Sequence, residues 1–163
     1  MRLSTRGRYA VMAMVELAAR ERSDSEGRCR PQVSLAEIAQ AQMLSLAYLE
    51  QLFGPLRRAG LVASIRGAGG GYRLGRPARE ISIAVIVEAV DEPLHATRCE
   101  EGGPGCLAGE RCLTHDLWAE LGDQIRMFLA SMTLADVIEG RVIGRAQPPG
   151  VAEPGRRPAE AAQ

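Results

Sequence analysis

The chain has 163 residues, aromatics at only 4%, and 20 basic residues that are all arginine, so it holds one domain with an appended element and a core of Leu, Ile, Val, Ala and Met. Its net charge is +0 but unevenly placed: residues 1–80 carry 13 arginines against 7 acids and the remainder 7 against 13, which points the front half toward an anionic partner, nucleic acid first. No apolar run reaches the roughly 18 residues of a membrane span, and Arg2, Arg6 and Arg8 lead into an amphipathic stretch containing Glu16 rather than a secretory signal, so a soluble, cytoplasmic protein in a reducing compartment is expected.

Residues 7–20 read as a helix whose apolar stripe is Tyr9, Val11, Met12, Val15 and Leu17–Ala18. A polar loop with Gly27 and Pro31 follows over 21–33. Ser34-Leu-Ala-Glu37 is a capping box that opens a short helix, 35–41, with Leu35, Ile38 and Ala39 turned inward. After a turn at 42–44, Ser45 can cap a second helix of about 46–58, inward at Leu46, Leu49, Leu52, Phe53 and Leu56 and stopped by Gly60. Met43 occupies the turn, where a left-handed conformation would cost about 1–2 kcal/mol. Pro55 is expected to kink the second helix. Residues 61–66 and 72–76 flank the glycine run 67–71 as a β-hairpin. Further helices are expected at 82–91 with its N-cap at Ser82, from Thr114 to Met132 with Leu117, Leu121, Ile125, Phe128 and Met132 on one stripe, and at 134–139, where Thr133 can cap. The tail, 144–163, is rich in Pro, Gly and Ala and is expected to be disordered.

Helix, tight turn, capped helix and hairpin form the winged helix-turn-helix order. The fold class is therefore mostly α with a small β-hairpin wing, joined to a long helix. In such a unit the second helix presents its outward face to the major groove. Here that face carries Ala47, Tyr48, Glu50 and Gln51 near its capped start at Ser45. Gln51 can pair with adenine, and Glu50 can accept from a cytosine amino group. Glu50 also repels phosphate, which penalises sites lacking a donor opposite it. Arg57 and Arg58 suit phosphates. Arg66, beside Gly67 at the wing tip, suits a narrow minor groove. Arg2, Arg6, Arg8 and Tyr9 can clamp the backbone.

Cys99, Cys106 and Cys112 fall within 14 residues, with His115 three beyond the last. Gaps of six and five residues are too wide for paired zinc knuckles. Wide thiolate spacing on a glycine-rich loop suits a polynuclear iron–sulfur cluster. A histidine ligand would add pH sensitivity, although His115 can equally cap the helix or lie at the surface. Zinc-stabilised interaction modules and unliganded thiols stay open as alternatives. A cysteine–histidine nucleophile lacks an accompanying oxyanion-hole motif, so no enzyme is expected. Cys29 reads as a spare thiol in the first loop.

The stretches MRLSTRGRYAV at 1–11, SLAYLEQLF at 45–53, LRRAGLVASIRGAGGGYRLG at 56–75 and ATRC…C…CLTHDLW at 96–118 closely resemble the IscR family of iron–sulfur cluster assembly regulators. The resemblance spans about residues 1–140. It implies a 2Fe–2S cluster on Cys99, Cys106, Cys112 and His115, a homodimer built on the long helix, an operator on double-stranded DNA, and cluster-assembly proteins as cluster donors. It implies a repressor of cluster-assembly genes whose cluster-free form binds a second class of DNA site and can act there as an activator. The family glutamate matching Glu50 is implicated in separating the two classes, and the arginine matching Arg66 enters the minor groove. Three departures stand out: one extra residue between the first two cysteines, Ala47 where serine is common, and a longer first loop. The rival within the superfamily is a nitric-oxide sensor carrying a 4Fe–4S cluster. The expected division is a DNA-binding domain over 1–80, a cluster loop and dimerisation helices over 81–140, and a tail over 141–163.

Overall fold

A computed structural model describes residues 5–22, 32–67, 69–90 and 112–142. In chain order these form α1 (Thr5–Arg22), α2 (Leu35–Gln42), α3 (Leu46–Arg58), β1 (Val62–Ile65), β2 (Gly71–Leu74), a 3-10 turn (Ala78–Glu80), α4 (Ile83–Ala89), α5 (His115–Ser131) and α6 (Leu134–Ile138). The tail beyond residue 142, the first polar loop over 23–31 and the Cys99–Cys106 segment lie outside the described residues.

α1 is the central post, touching α2, α3, α4, α6 and β2. Its buried face is Ala10, Ala13, Met14, Leu17 and Ala18, at helical spacings of three and four. This corrects the expected stripe. Tyr9, Val11 and Val15 are only partly buried and pack along its flanks. Small residues win the centre because several elements cross α1 there, and hydrophobicity alone ranks valine above alanine. Full burial of Met14 and Leu17 is worth about 1.5–3 kcal/mol each.

The capping box of α2 forms as its residues require: Ser34 Oγ accepts from the Glu37 N–H at 3.2 Å, and Glu37 Oε2 accepts from the Ser34 N–H at 2.9 Å. Ser45 Oγ caps α3 by accepting from the Tyr48 N–H at 3.2 Å. α3 then runs through the buried Pro55 as one continuous helix. Past the end of α3, Leu61 N–H donates to Leu56 O at 3.0 Å. Leu49, Leu52, Phe53 and Leu56 are buried as expected, but Leu46 is turned outward and 44% exposed. In the intervening turn Met43 is left-handed, at φ 51 and ψ 41, with its side chain 93% exposed.

β1 and β2 pair antiparallel in the register Val62↔Leu74 to Ile65↔Gly71. A third, one-residue partner comes from Val33, which exchanges two backbone hydrogen bonds of 2.8 Å with Tyr72. The back of the molecule is closed by a second short pairing: Ile83 N–H donates to Met132 O at 2.8 Å and Leu134 N–H to Ile81 O at 2.9 Å. This pairing returns the chain to the core after α5, so that Leu134 and residues of α4 share one hydrophobic cluster with α1 and α3.

Candidate nucleic-acid interface and metal centre

α3 buries one side and presents the other. Leu46, Ala47, Glu50, Gln51, Arg57 and Arg58 are all exposed, with Tyr48 partly so at the edge. At 100° per residue these exposed side chains occupy a single arc of the helix. Two aromatic contacts hold that arc in place. Tyr9 meets Tyr48 edge-on at 5.9 Å and 88°, which sets the start of α1, with the exposed Arg6 and Arg8, beside the first turn of α3. Phe53 meets Tyr72 edge-on at 4.8 Å and 70°, which ties α3 to the wing. Arg2 lies outside the described residues.

Arg66 and Gly67 are exposed at the wing tip. Gly67 has φ 115, a backbone conformation that side chains other than hydrogen rarely adopt. Three braces around the wing carry no strong sequence signal. The Gln32 side chain donates to Gly69 O at 2.5 Å, Val33 pairs with Tyr72, and Glu21 Oε1 accepts from the Leu74 N–H at 2.5 Å. Burial raises the Glu21 pKa above the usual glutamate value, against the opposing pull of the Leu74 N–H and the Arg73 charge. Glu16 serves the helix pair: it pairs with Arg20 at 2.6 Å and accepts from Gln42 Nε2, at the end of α2, at 2.8 Å. α1 thus fastens both the helix-turn-helix and the wing. A lone glutamine, a one-residue strand and two glutamates on a helix flank give no periodic pattern to detect.

Of the four predicted cluster ligands, Cys112 and His115 fall within the described residues. They sit at the head of α5, where the His115 N–H donates to the Cys112 carbonyl at 3.0 Å. Cys112 is a partly exposed free thiol. Thr114, the N-cap position, makes no side-chain capping bond; its hydroxyl lies 3.5 Å from Cys112 Sγ instead. A sulfur and an imidazole three residues apart at the head of one helix are the donor types that metal centres use. Among the described residues no three of His, Cys, Asp or Glu gather as a metal site, and Cys99 and Cys106 are outside them. Along α5, Leu117, Trp118, Leu121, Met127 and Phe128 are exposed, while Leu129 packs against the core. No helix among the described residues is long and apolar enough to cross a membrane.

The chain matches the model of the Rrf2 family, described as iron-dependent transcriptional regulators, over residues 3–140. It is 49% identical over 143 residues to the HTH-type transcriptional regulator IscR of Pectobacterium carotovorum subsp. carotovorum (strain PC1), covering 88% of this chain and 82% of that one. It is 50% identical over 141 residues to the regulator of the same name in Serratia proteamaculans (strain 568), covering 86% and 81%. Among solved structures, T. potens IscR superposes with a TM-score of 0.66 at 38% identity, over 86% of this chain and 88% of that one. CymR, the global cysteine regulator of B. subtilis, superposes at 0.68 and 38% identity, over 86% and 98%.

Proposed function

This chain belongs to the Rrf2 family and is a DNA-binding transcription regulator, not an enzyme; on that premise we propose that it senses a 2Fe–2S cluster held by Cys99, Cys106, Cys112 and His115, and represses iron–sulfur cluster assembly genes according to cluster occupancy. The observation that carries this reading is the corner at the head of α5, where a free thiol, a backbone turn and an imidazole-bearing residue follow within one helical turn. When bound, the cluster supplies a group whose presence and redox state report on iron–sulfur supply. The residues of the chain do the rest. Cys112 and His115 tie that group to α5. α5 rests on α4, and α4 touches both α1 and α3, so α5 joins the ligand corner to the body that carries the DNA-reading arc.

On this reading Gln51 and Glu50 contact base edges in the major groove, Ser45, Ala47 and Tyr48 line the entry of the helix, and Arg57 and Arg58 meet phosphates. Arg2, Arg6, Arg8 and Tyr9 clamp the backbone, and Arg66 with Gly67 enters the minor groove. The exposed apolar side chains of α5 form the contact of a homodimer, whose two-fold axis matches a palindromic operator. The protein acts in the cytoplasm, with cluster-assembly proteins as donors.

Anaerobic purification followed by absorption and EPR spectroscopy tests the cluster assignment. A 2Fe–2S spectrum is expected, lost in Cys112→Ala and altered in His115→Ala. A 4Fe–4S signature would replace the proposal with a nitric-oxide sensor, and colourless protein with one zinc per chain would replace it with a zinc-stabilised module. Wild-type affinity of Cys99→Ala for every DNA site would sink the coupling of cluster to DNA choice.

A further inference from the structure

The first turn of α3 carries no acidic residue. It leads with Leu46 and Ala47, both exposed. Leu46 sits at a helix start where a core position is expected, but it is neither buried nor among the side chains packed against the core. It is therefore free to meet a partner. A single exposed leucine on an ordinary surface calls for no explanation; this one leads the arc that carries Glu50, Gln51, Arg57 and Arg58.

The arc supplies the chemistry of that partner. Glu50 is one turn beyond Leu46, about 40° round and roughly 6 Å along the axis. Glu50 accepts hydrogen bonds, and in the major groove the cytosine amino group is the donor it fits. The apolar feature that groove offers is the thymine methyl. With about 3.4 Å per base pair, the helical offset puts the nearest base facing Leu46 within about two base pairs of the one facing Glu50. An acid-free, apolar leading turn also lets the helix end approach the phosphates without repulsion.

We propose that Leu46 is a specificity-determining residue that reads the 5-methyl group of a thymine within two base pairs of the cytosine read by Glu50. The inference rests on α3 being the recognition helix. Ala47, with only a methyl to offer, widens the same apolar surface without reaching as deep.

The test uses the full-length chain purified anaerobically and a pool of randomised DNA duplexes. The wild type is expected to select a thymine within two base pairs of a cytosine whose selection is lost in Glu50→Ala. Leu46→Ala is expected to lose the thymine preference and keep the cytosine. The selected thymine is then replaced by uracil in one fixed duplex, which removes only the methyl. Wild-type affinity should fall about fourfold, the worth of one buried carbon, and Leu46→Ala should bind both duplexes alike. A wild type indifferent to uracil, or a Leu46→Ala protein that still discriminates, overturns the role of Leu46 and leaves recognition by α3 intact. Selection of no sequence by the wild type, or sequence preference unchanged in Glu50→Ala and Gln51→Ala, overturns the recognition helix and the inference with it. The uracil comparison on wild-type protein needs no variant to fold.

Discussion

Met43→Gly should make the protein more stable. Met43 holds φ 51 and ψ 41 in the turn between α2 and α3, a conformation that costs a side-chain-bearing residue about 1–2 kcal/mol. Glycine removes that cost but carries more entropy in the unfolded chain, worth about 0.4–1 kcal/mol in the opposite sense. The side chain is 93% exposed, so deleting it forfeits little burial. The turn is closed by backbone groups, with the Leu44 N–H donating to Ala39 O at 3.0 Å, and glycine keeps them. The balance is a gain of roughly 0.5–1 kcal/mol, or an upward shift in Tm of about 1–4 °C for a chain of this size. Urea denaturation followed by circular dichroism measures it. Met43→Ala keeps the strained backbone and removes the same exposed side chain, so it should sit within about 0.5 kcal/mol of wild type. A loss of stability in Met43→Gly, or an equal gain in both variants, would refute the argument from backbone strain.

Two further changes probe the braces of the wing. Gly71→Ala would put a Cβ 2.5 Å from the Val33 carbonyl oxygen; the resulting shift breaks the Val33–Tyr72 bridge and should cost about 1–3 kcal/mol, and unchanged stability with retained amide protection at Tyr72 would show that the close approach is not as tight as described. Glu21→Gln keeps an acceptor for the Leu74 N–H and relieves a desolvated charge. Because the folded pKa of Glu21 is raised, its contribution to stability is fully present below the unfolded value, near 4.5, and is lost as pH rises through the folded one. Glu21→Gln should therefore be more stable than wild type at pH 7, by under about 1 kcal/mol given the partial exposure, with the advantage fading as pH falls from the raised folded pKa toward 4.5. A constant difference across that range would rule out the desolvated carboxylate.

Local chemistry was enough to place most elements. The Ser34–Glu37 box, the Ser45, Ser82 and Thr133 caps and the stop at Gly60 locate helix ends because each satisfies orphan backbone groups with residues three or four away. The clustered cysteines and the outward face of 46–58 were legible for the same reason: spacing along one segment carries them. Packing across segments decided the rest. It chose Ala10 and Ala13 over Val11 and Val15 for the buried face of α1, because close crossings reward small volume at the centre. It turned Leu46 outward, because Leu49, Leu52, Phe53 and Leu56 take the side of α3 that the other described elements cover. It recruited Gln32, Val33 and Glu21 to hold the wing from 37 to 53 residues away in sequence, contacts that no periodicity announces. The sequence by itself determined which helices form and where the cysteines cluster; the tertiary structure decided which faces are left bare, because exposure depends on what the other segments cover.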